Sequence, residues 1–392
     1  MASSANVLTN LIPTLYVALD TVSREMVGMI PAVRRDASFA RAAIGQTVRS
    51  FVAPAATAFT IVPDQIRTDS GNQTIGNVSL AIENTRACPV RWQGEESMQM
   101  DSAGGPTVNA IMVDQFAQAM RTLVNEIEAD LCGLYVNASR AIVPDSTTLF
   151  SATLKDAANV RKILMDNGAP LTELQMVLST TEGAALRSLT QLNQVNTAGD
   201  ANLLRQGVLG NIMGFDIRES AGIITPAVGT EANATMHATT DYAVGTETMA
   251  LDAVGTGTVV AGDLVTIAGT GQTTVQYINK TLIPAVSGAA FVINKPGLIV
   301  ALTDNAAAIA VRAAGTRNLA FARSAIVLAT RLPALPMGGD SAVDRTIITD
   351  PRSGLSFDVA HYLEYHQSAF EISIAWGQKV VKEEHVAILA GA

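Results

Sequence analysis

Residues 107–140, TVNAIMVDQFAQAMRTLVNEIEADLCGLYVNASR, constrain the fold more than any other stretch of the chain. Apolar side chains recur at Val108, Ile111, Met112, Phe116, Met120, Leu123, Val124, Ile127, Leu131, Leu134 and Tyr135. Steps of three and four put them on one stripe of an α-helix. Asp114, Gln118, Arg121, Asn125, Glu128 and Asn137 are assigned to the polar side. Pro106 stands where a missing N–H is tolerated at a helix start. Pro144 lies past the end, and Gly133 is the one interior breaker. At ~1.5 Å per residue the helix would be about 50 Å long, well beyond the usual length of about 11–12 residues. No heptad seam persists along it, so it reads as a spine with other layers docked on one side and not as a coiled coil.

The 392 residues allow two or three domains. Charged residues make up 16% of the chain, with a net charge of -9, against a usual charged share of about 25%. A surface this poor in charge implies that much of it is covered by other subunits. Cys88 and Cys132 are too few for a disulfide framework or a zinc site, and reduced thiols are expected. Residues 11–19, LIPTLYVAL, are short and lack a basic leader, so no signal peptide is expected. No apolar run reaches the ~18–20 residues that span a bilayer. The chain reads as soluble and intracellular.

Residues 1–50 read as an arm with helix signals around 15–29 and a local excess of arginine. Residues 51–103 read as a long β-hairpin. Phe59 and Ile61, then Val78, Leu80 and Ile82, alternate as strands with one covered face do, and Pro54, Pro63, Gly71 and Gly76 mark turns. After the spine, Thr153 and Asp156 resemble a capping box ahead of a helical stripe of Leu154, Ala157, Val160, Ile163 and Leu164 that Asn167-Gly168 ends. Residues 174–178 read as a buried strand. Thr181 is expected to cap a short helix, 193–202 to be a polar loop, and 208–219 a turn and strand. From about 226 to 316 the chain turns to Thr, Ala, Gly and Val, with short strand candidates at 257–260, 264–267, 274–278, 291–293 and 298–302 between Gly-rich turns. That is the pattern of a small all-β barrel or sandwich inserted into another domain. Alternating strands follow at 355–362 and 369–376, with Phe370, Ile372, Ile374 and Trp376 on one face, and a last strand at 380–389.

No arrangement of residues points to catalysis. The Gly255-Thr-Gly257 and Gly269-Thr-Gly271 pairs lack the following Lys-Ser/Thr or helix of a phosphate loop and read as turns. No GxSxG elbow occurs. His361 and His366 flank Glu364, but residues five apart on a strand face opposite ways. Glu126, Glu128 and Asp130 form an acidic patch read as a solvated or salt-bridged helix face. No catalytic, cofactor-binding or metal-binding residues are assigned, and the chain reads as a non-enzyme.

The order of elements, arm, long hairpin, spine helix, mixed α/β part with a β insertion, and closing strands, resembles the major capsid protein of tailed bacteriophages. The closest resemblance is to the Salmonella short-tailed phage coat type with its inserted β-barrel. Residues 207–220 (GVLGNIMGFDIRES), 318–333 (NLAFARSAIVLATRLP) and 354–389 (GLSFDVAHYLEYHQSAFEISIAWGQKVVKEEHVAIL) resemble the family's segments before the insertion, at its return and at the closing strands. The resemblance implies an α+β shell fold. It comprises an N-terminal arm (1–50), an extended hairpin loop (51–103), and a peripheral domain with the spine (104–165). An axial/peripheral part (166–225 and 318–392) surrounds an inserted β-barrel domain (226–317). It further implies self-assembly through pentamers and hexamers into an icosahedral shell around double-stranded DNA bound without sequence specificity. Scaffolding and portal proteins would be partners, no membrane would be involved, and assembly would take place in the host cytoplasm. Some family members weld neighbours through a loop lysine, but the first lysine here is Lys155, so a shell without such cross-links is expected. An encapsulin-like nanocompartment, and an enzyme with a β-accessory domain, are the competing readings.

Overall fold

The computed structural model describes residues 27–52, 60–61, 63, 76–96, 98, 107–144, 148–193, 209–237, 241–252, 255–269, 271, 273–284, 289–303, 307–349 and 354–391. The helix signals at 15–25, the strand position Phe59 and most of the 193–202 loop lie outside them. In chain order, α1 (Met29–Ala32), β1 (Arg34–Ala42), β2 (Thr47–Val52), β3 (Gly76–Ala81) and β4 (Asn84–Gln93) precede the spine α2 (Thr107–Cys132). A 3₁₀ turn (Gly133–Asn137), β5 (Arg140–Ile142), α3 (Lys155–Asp166), β6 (Leu174–Leu178), α4 (Thr180–Ser188), α5 (Thr190–Asn193), β7 (Asn211–Ile212) and β8 (Phe215–Glu219) follow. Short strands come next: β9 (Thr248–Ala250), β10 (Thr258–Val259), β11 (Leu264–Ile267), β12 (Gln276–Ile278), β13 (Ile283–Pro284), β14 (Ala290–Val292) and β15 (Ile309–Val311). The chain closes with β16 (Arg317–Ala322), β17 (Ile326–Pro333), β18 (Asp344–Thr349), β19 (Ser356–Glu364), β20 (Gln367–Val380) and β21 (Val386–Ala390).

Two sheets organise this α+β fold. A six-stranded sheet runs β1-β17-β20-β19-β18, with β4 along the other side of β20. A nine-stranded sheet runs β15-β11-β12-β5-β21-β16-β6-β8-β7. The chain crosses between them three times, first through the spine from β4 to β5 and then through the 3₁₀ turns Arg323–Ala325 and Glu383–His385. In the nine-stranded sheet the pleat divides each central strand between two cores. Leu319 and Phe321, with Ile388 and Val386, join the spine core. Ala320, Ala322, Ala387 and Leu389 face α3 through Ala157, Val160 and Leu164. Burial on both faces is why these strands read as unbroken apolar runs.

The spine covers one face of the six-stranded sheet, where Leu123, Ile127 and Leu131 share a core with Ile372, Ile374 and Trp376. Its α-helix ends at Cys132 and continues only as the 3₁₀ turn. With 26 residues it is about 39 Å long rather than 50 Å. Gly133, a poor helix former, opens the 3₁₀ turn.

Several local expectations change. Residues 51–103 are not one hairpin. β2 pairs with β3 from Thr47↔Ala81 to Val52↔Gly76, while β4 pairs over ten residues with β20, far along the chain, from Asn84↔Trp376 to Gln93↔Gln367. Asp156 does not complete a capping box. Its carboxylate is buried and accepts from the Phe150 N–H at 2.9 Å. Ser179, not Thr181, caps α4 by accepting from the Thr181 N–H at 3.2 Å. The described residues of 226–317 form strands, bridges and turns with a core of their own, including Met236, Tyr277, Phe291 and Ile309. Three of its strands, β15, β11 and β12, extend the nine-stranded sheet through β5. Residues 298–302 form no strand, although Leu302 bridges to Tyr242.

Gly377 marks a close approach between layers. A Cβ there would meet the Ala81 carbonyl oxygen and lie 3.2 Å from Ile82 Cα. Gly377→Ala is expected to cost about 1–3 kcal/mol through overpacking, read as a lowered denaturation midpoint, with the β3–β4 corner losing hydrogen-exchange protection first.

Candidate functional site

The residues with chemical potential are not gathered into one place. His361, on β19, stacks on Phe370 with ring centroids 4.4 Å apart and hydrogen-bonds Ser368 at 2.7 Å. His366 sits in the β19–β20 turn at φ 54°. Gly257 and Gly271, at φ 81° and 77°, occupy turns. Among the described residues no group of His, Cys, Asp and Glu is arranged to hold a metal ion. What the fold does concentrate is a set of buried polar groups that tie its parts to one another.

Glu128 is the first of these. It is 3% exposed, and its carboxylate accepts from the backbone N–H groups of Gly28 and Met29, both at 2.7 Å, and of Ile30 at 3.0 Å. Those are the unsatisfied donors at the start of α1, where a negative charge is favoured. The arm is thereby latched to the spine, with Met29, Ile30 and Ala32 fully buried. Two residues further on, Asp130 accepts from Asn84 Nδ2 at 2.8 Å and from Trp376 Nε1 at 2.9 Å, holding β4 and β20. Only Glu126 behaves as a solvated helix face, 3.6 Å from an exposed Arg86. The acidic patch is therefore divided, because residues two apart face different surroundings on a helix.

A second tie lies within the six-stranded sheet, where β17 ends and β19 begins along β20. The Asp358 carboxylate on β19 is buried and receives Arg41 of β1 at 2.9 Å and Arg345 of β18 at 2.8 Å. Arg41 also donates to the Pro333 carbonyl at 2.8 Å. Arg345 pairs with Asp340, which accepts from the Tyr362 hydroxyl at 2.9 Å. Burial, then the Asp340 carboxylate, push the Tyr362 hydroxyl up from its ordinary range.

The inserted segment docks on the 3₁₀ turn after the spine. Asn294 Nδ2 donates to the Val136 and Ala138 carbonyls at 2.6 and 2.7 Å, and Lys280 reaches Glu383 at 2.7 Å. Asp263 accepts from the N–H groups of Val260 and Gly229 at 2.6 and 3.0 Å. Burial raises its carboxyl while these bonds lower it. Arg317 is 1% exposed and donates to the Gly315 carbonyl. Burial holds its guanidinium below the ordinary value. Gly262, at φ 88°, leaves no room for a Cβ, which would lie 2.6 Å from the Tyr135 ring. Gly262→Ala is expected to lower stability by about 1–3 kcal/mol, measured by chemical denaturation.

Sequence reading missed Glu128, Asp358 and Arg317 as organising residues. For Glu128 the signal was present: it stands four after Val124 and three before Leu131, within the apolar phase of the helix. For Asp358 and Arg317 no local pattern exists, since their surroundings come from distant strands.

No family model matches the sequence, and no curated protein is similar to it by sequence. Solved structures are similar to it in fold at low identity. The capsid of the cyanophage P-SCSP1u gives a TM-score of 0.48 at 10% identity, covering 100% of this chain and 92% of that chain. A chain of Mycobacterium phage Che8 gives 0.45 at 14% identity over 94% and 92%. The capsid of the Myoviridae phage XM1 gives 0.43 at 9% identity over 100% of both chains.

Proposed function

We propose that this chain is a major capsid protein that assembles with copies of itself into a closed icosahedral shell around a double-stranded DNA genome. The observation that carries this reading is the arrangement of the elements. A latched N-terminal segment, a β2–β3 hairpin, a spine helix across a sheet and C-terminal strands threading both sheets follow the capsid-like order read from the sequence. A two-stranded hairpin is barely stable in water and gains support where copies overlap. The low charge of the chain suits large apolar interfaces between permanent partners. A net charge of -9 suits a wall that contacts packaged DNA without tight phosphate binding.

The finer assignments belong to the same proposal. The spine and six-stranded sheet would form the peripheral part, the nine-stranded sheet the axial part around pentamer and hexamer centres, and 226–317 an accessory β-domain of the kind found in the Salmonella short-tailed phage coat type. A scaffolding protein and a portal would be partners, assembly would take place in the host cytoplasm, and neighbours would not be welded through a loop lysine.

The test is to express the full chain alone, image clarified lysate by negative-stain electron microscopy, and run sedimentation velocity alongside. Closed shells, spirals or polyheads are expected. A discrete monomer or small oligomer at high concentration, with no large particles, would overturn the reading.

A further inference from the structure

Among the described residues, three strands of the six-stranded sheet have a side without a paired neighbour: β1, β4 and β18. Free edges invite pairing with other chains, and proteins normally guard them with charge, proline or a bulge. β1 is guarded, with Arg34, Arg35, Asp36 and Arg41 along it and a register shift between Ala37 and Arg41. β4 carries Pro89 in mid-strand. β18 is different. Its six residues pair with β19 in unbroken register from Asp344↔His361 to Thr349↔Ser356. Its central run is Thr346-Ile347-Ile348-Thr349, all β-branched, without proline, lysine or bulge. Its Arg345 is already held by Asp358 and Asp340.

The strand is also bare on both faces. Ile347 is 45% exposed and Ile348 40%, although successive residues point to opposite sides. Val343, Leu363 and Tyr365 are exposed as well, towards the far end of β19 by its turn into β20.

We infer that β18 is a strand-pairing edge occupied by β18 of a second copy of this chain, antiparallel about a two-fold axis. This deepens the shell reading and rests on it for the partner's identity. The strand is self-complementary for such a contact. With Ile347 on the axis, Arg345 faces Thr349, Thr346 faces Ile348 and Ile347 faces itself, so between 345 and 349 no like charges meet and the central pairs are β-branched, while the charged Asp344 falls outside this run. An isologous joint is also the commonest way that identical chains associate.

The axis position gives a specific test. Residues directly opposed in an antiparallel pair have Cα atoms about 4.5–5.5 Å apart, within reach of a disulfide. Only a residue on the axis comes that close to its own copy. In the full-length chain, Ile347→Cys is expected to give a covalent dimer as the main species on mild oxidation. Leu363→Cys, on β19 and off the edge, and the parent chain with Cys88 and Cys132 are expected to stay monomeric on a denaturing non-reducing gel. The double variant Ile347→Lys/Ile348→Lys is expected to keep the parent's circular dichroism and melting midpoint. It should lose at least ten-fold in association by sedimentation velocity and lose hydrogen-exchange protection at 344–349. The inference is overturned if Ile347→Cys remains monomeric, if Leu363→Cys cross-links as well, or if the lysine variant associates like the parent. Particles that form without the cross-link would remove the edge pairing and leave the shell reading. A cross-linked dimer with no particles would do the reverse.

Discussion

Substitution of Leu123 by aspartate is expected to leave no soluble, folded chain. Leu123 is 1% exposed at the centre of the spine, in the core that joins α1, the spine and both sheets. A carboxylate there has no partner among the surrounding apolar side chains, and burying it costs several kcal/mol. Single domains have about 5–15 kcal/mol of stability in total, and this core joins α1, the spine and strands of both sheets, so the damage would reach well beyond the helix. Leu123→Ala should cost about 2–5 kcal/mol and Leu123→Met under about 1.5 kcal/mol. Soluble yield and thermal melting should rank the three accordingly. Phe116, by contrast, is half-buried and meets Phe370 edge-on at 5.2 Å. Phe116→Asp should therefore be milder than Leu123→Asp. Normal yield of the Leu123→Asp protein would show that the spine does not pack as described.

Removing the carboxylate of Glu128 is the second large effect. Glu128→Ala leaves the N–H groups of Gly28, Met29 and Ile30 without their acceptor in a buried site. Each abandoned buried donor costs about 1–3 kcal/mol, so the three together put the expected loss at about 3–9 kcal/mol. Glu128→Gln keeps one acceptor oxygen and the shape but loses the charge. It should cost about half as much, since hydrogen bonds to charged groups are the stronger ones. The distinguishing readout is local. Amide exchange at 28–30 and proteolysis near the arm should accelerate in Glu128→Gln before the global melt changes. Equal protection of those amides in the variant and the parent would show that the arm is held by apolar packing alone.

A Cβ on Gly28 would lie 2.5 Å from the Glu219 carbonyl oxygen. The latch therefore depends on a glycine as well as on a charge, and the arm enters along a path only a bare backbone can follow. Asp130 and Asp358 extend the same logic. Each is a carboxylate on one element that holds two donors from others, and buried charges persist where they are paired in this way.

Much of the architecture was written in local patterns. The 3.6-residue stripe gave the spine, although it was read through Gly133, where the α-helix ends. The alternation at Ile372, Ile374 and Trp376 gave the inward face of β20, and the apolar run at 174–178 gave β6 as observed. The Thr/Gly-rich composition after 226 pointed to a β segment, and its described residues have a core of their own. These features depend on contacts between residues a few positions apart, or on a face that one solvent boundary defines, so periodicity reports them.

Partnership between distant strands was not legible. β4 was read into a hairpin because nothing near it names β20, its partner some 280 positions later in the chain. Glu128 was read as solvated because a carboxylate is normally exposed, and its role appears only when the start of α1 is brought against the spine. Arg41 comes from β1, 317 positions before Asp358, to meet Arg345 of the adjoining β18 on its carboxylate. The local stripe chose which elements form and which face each one buries. Long-range hydrogen bonding and the placement of buried charge chose which elements meet, because the free energy of those contacts exists only once the chain has closed on itself.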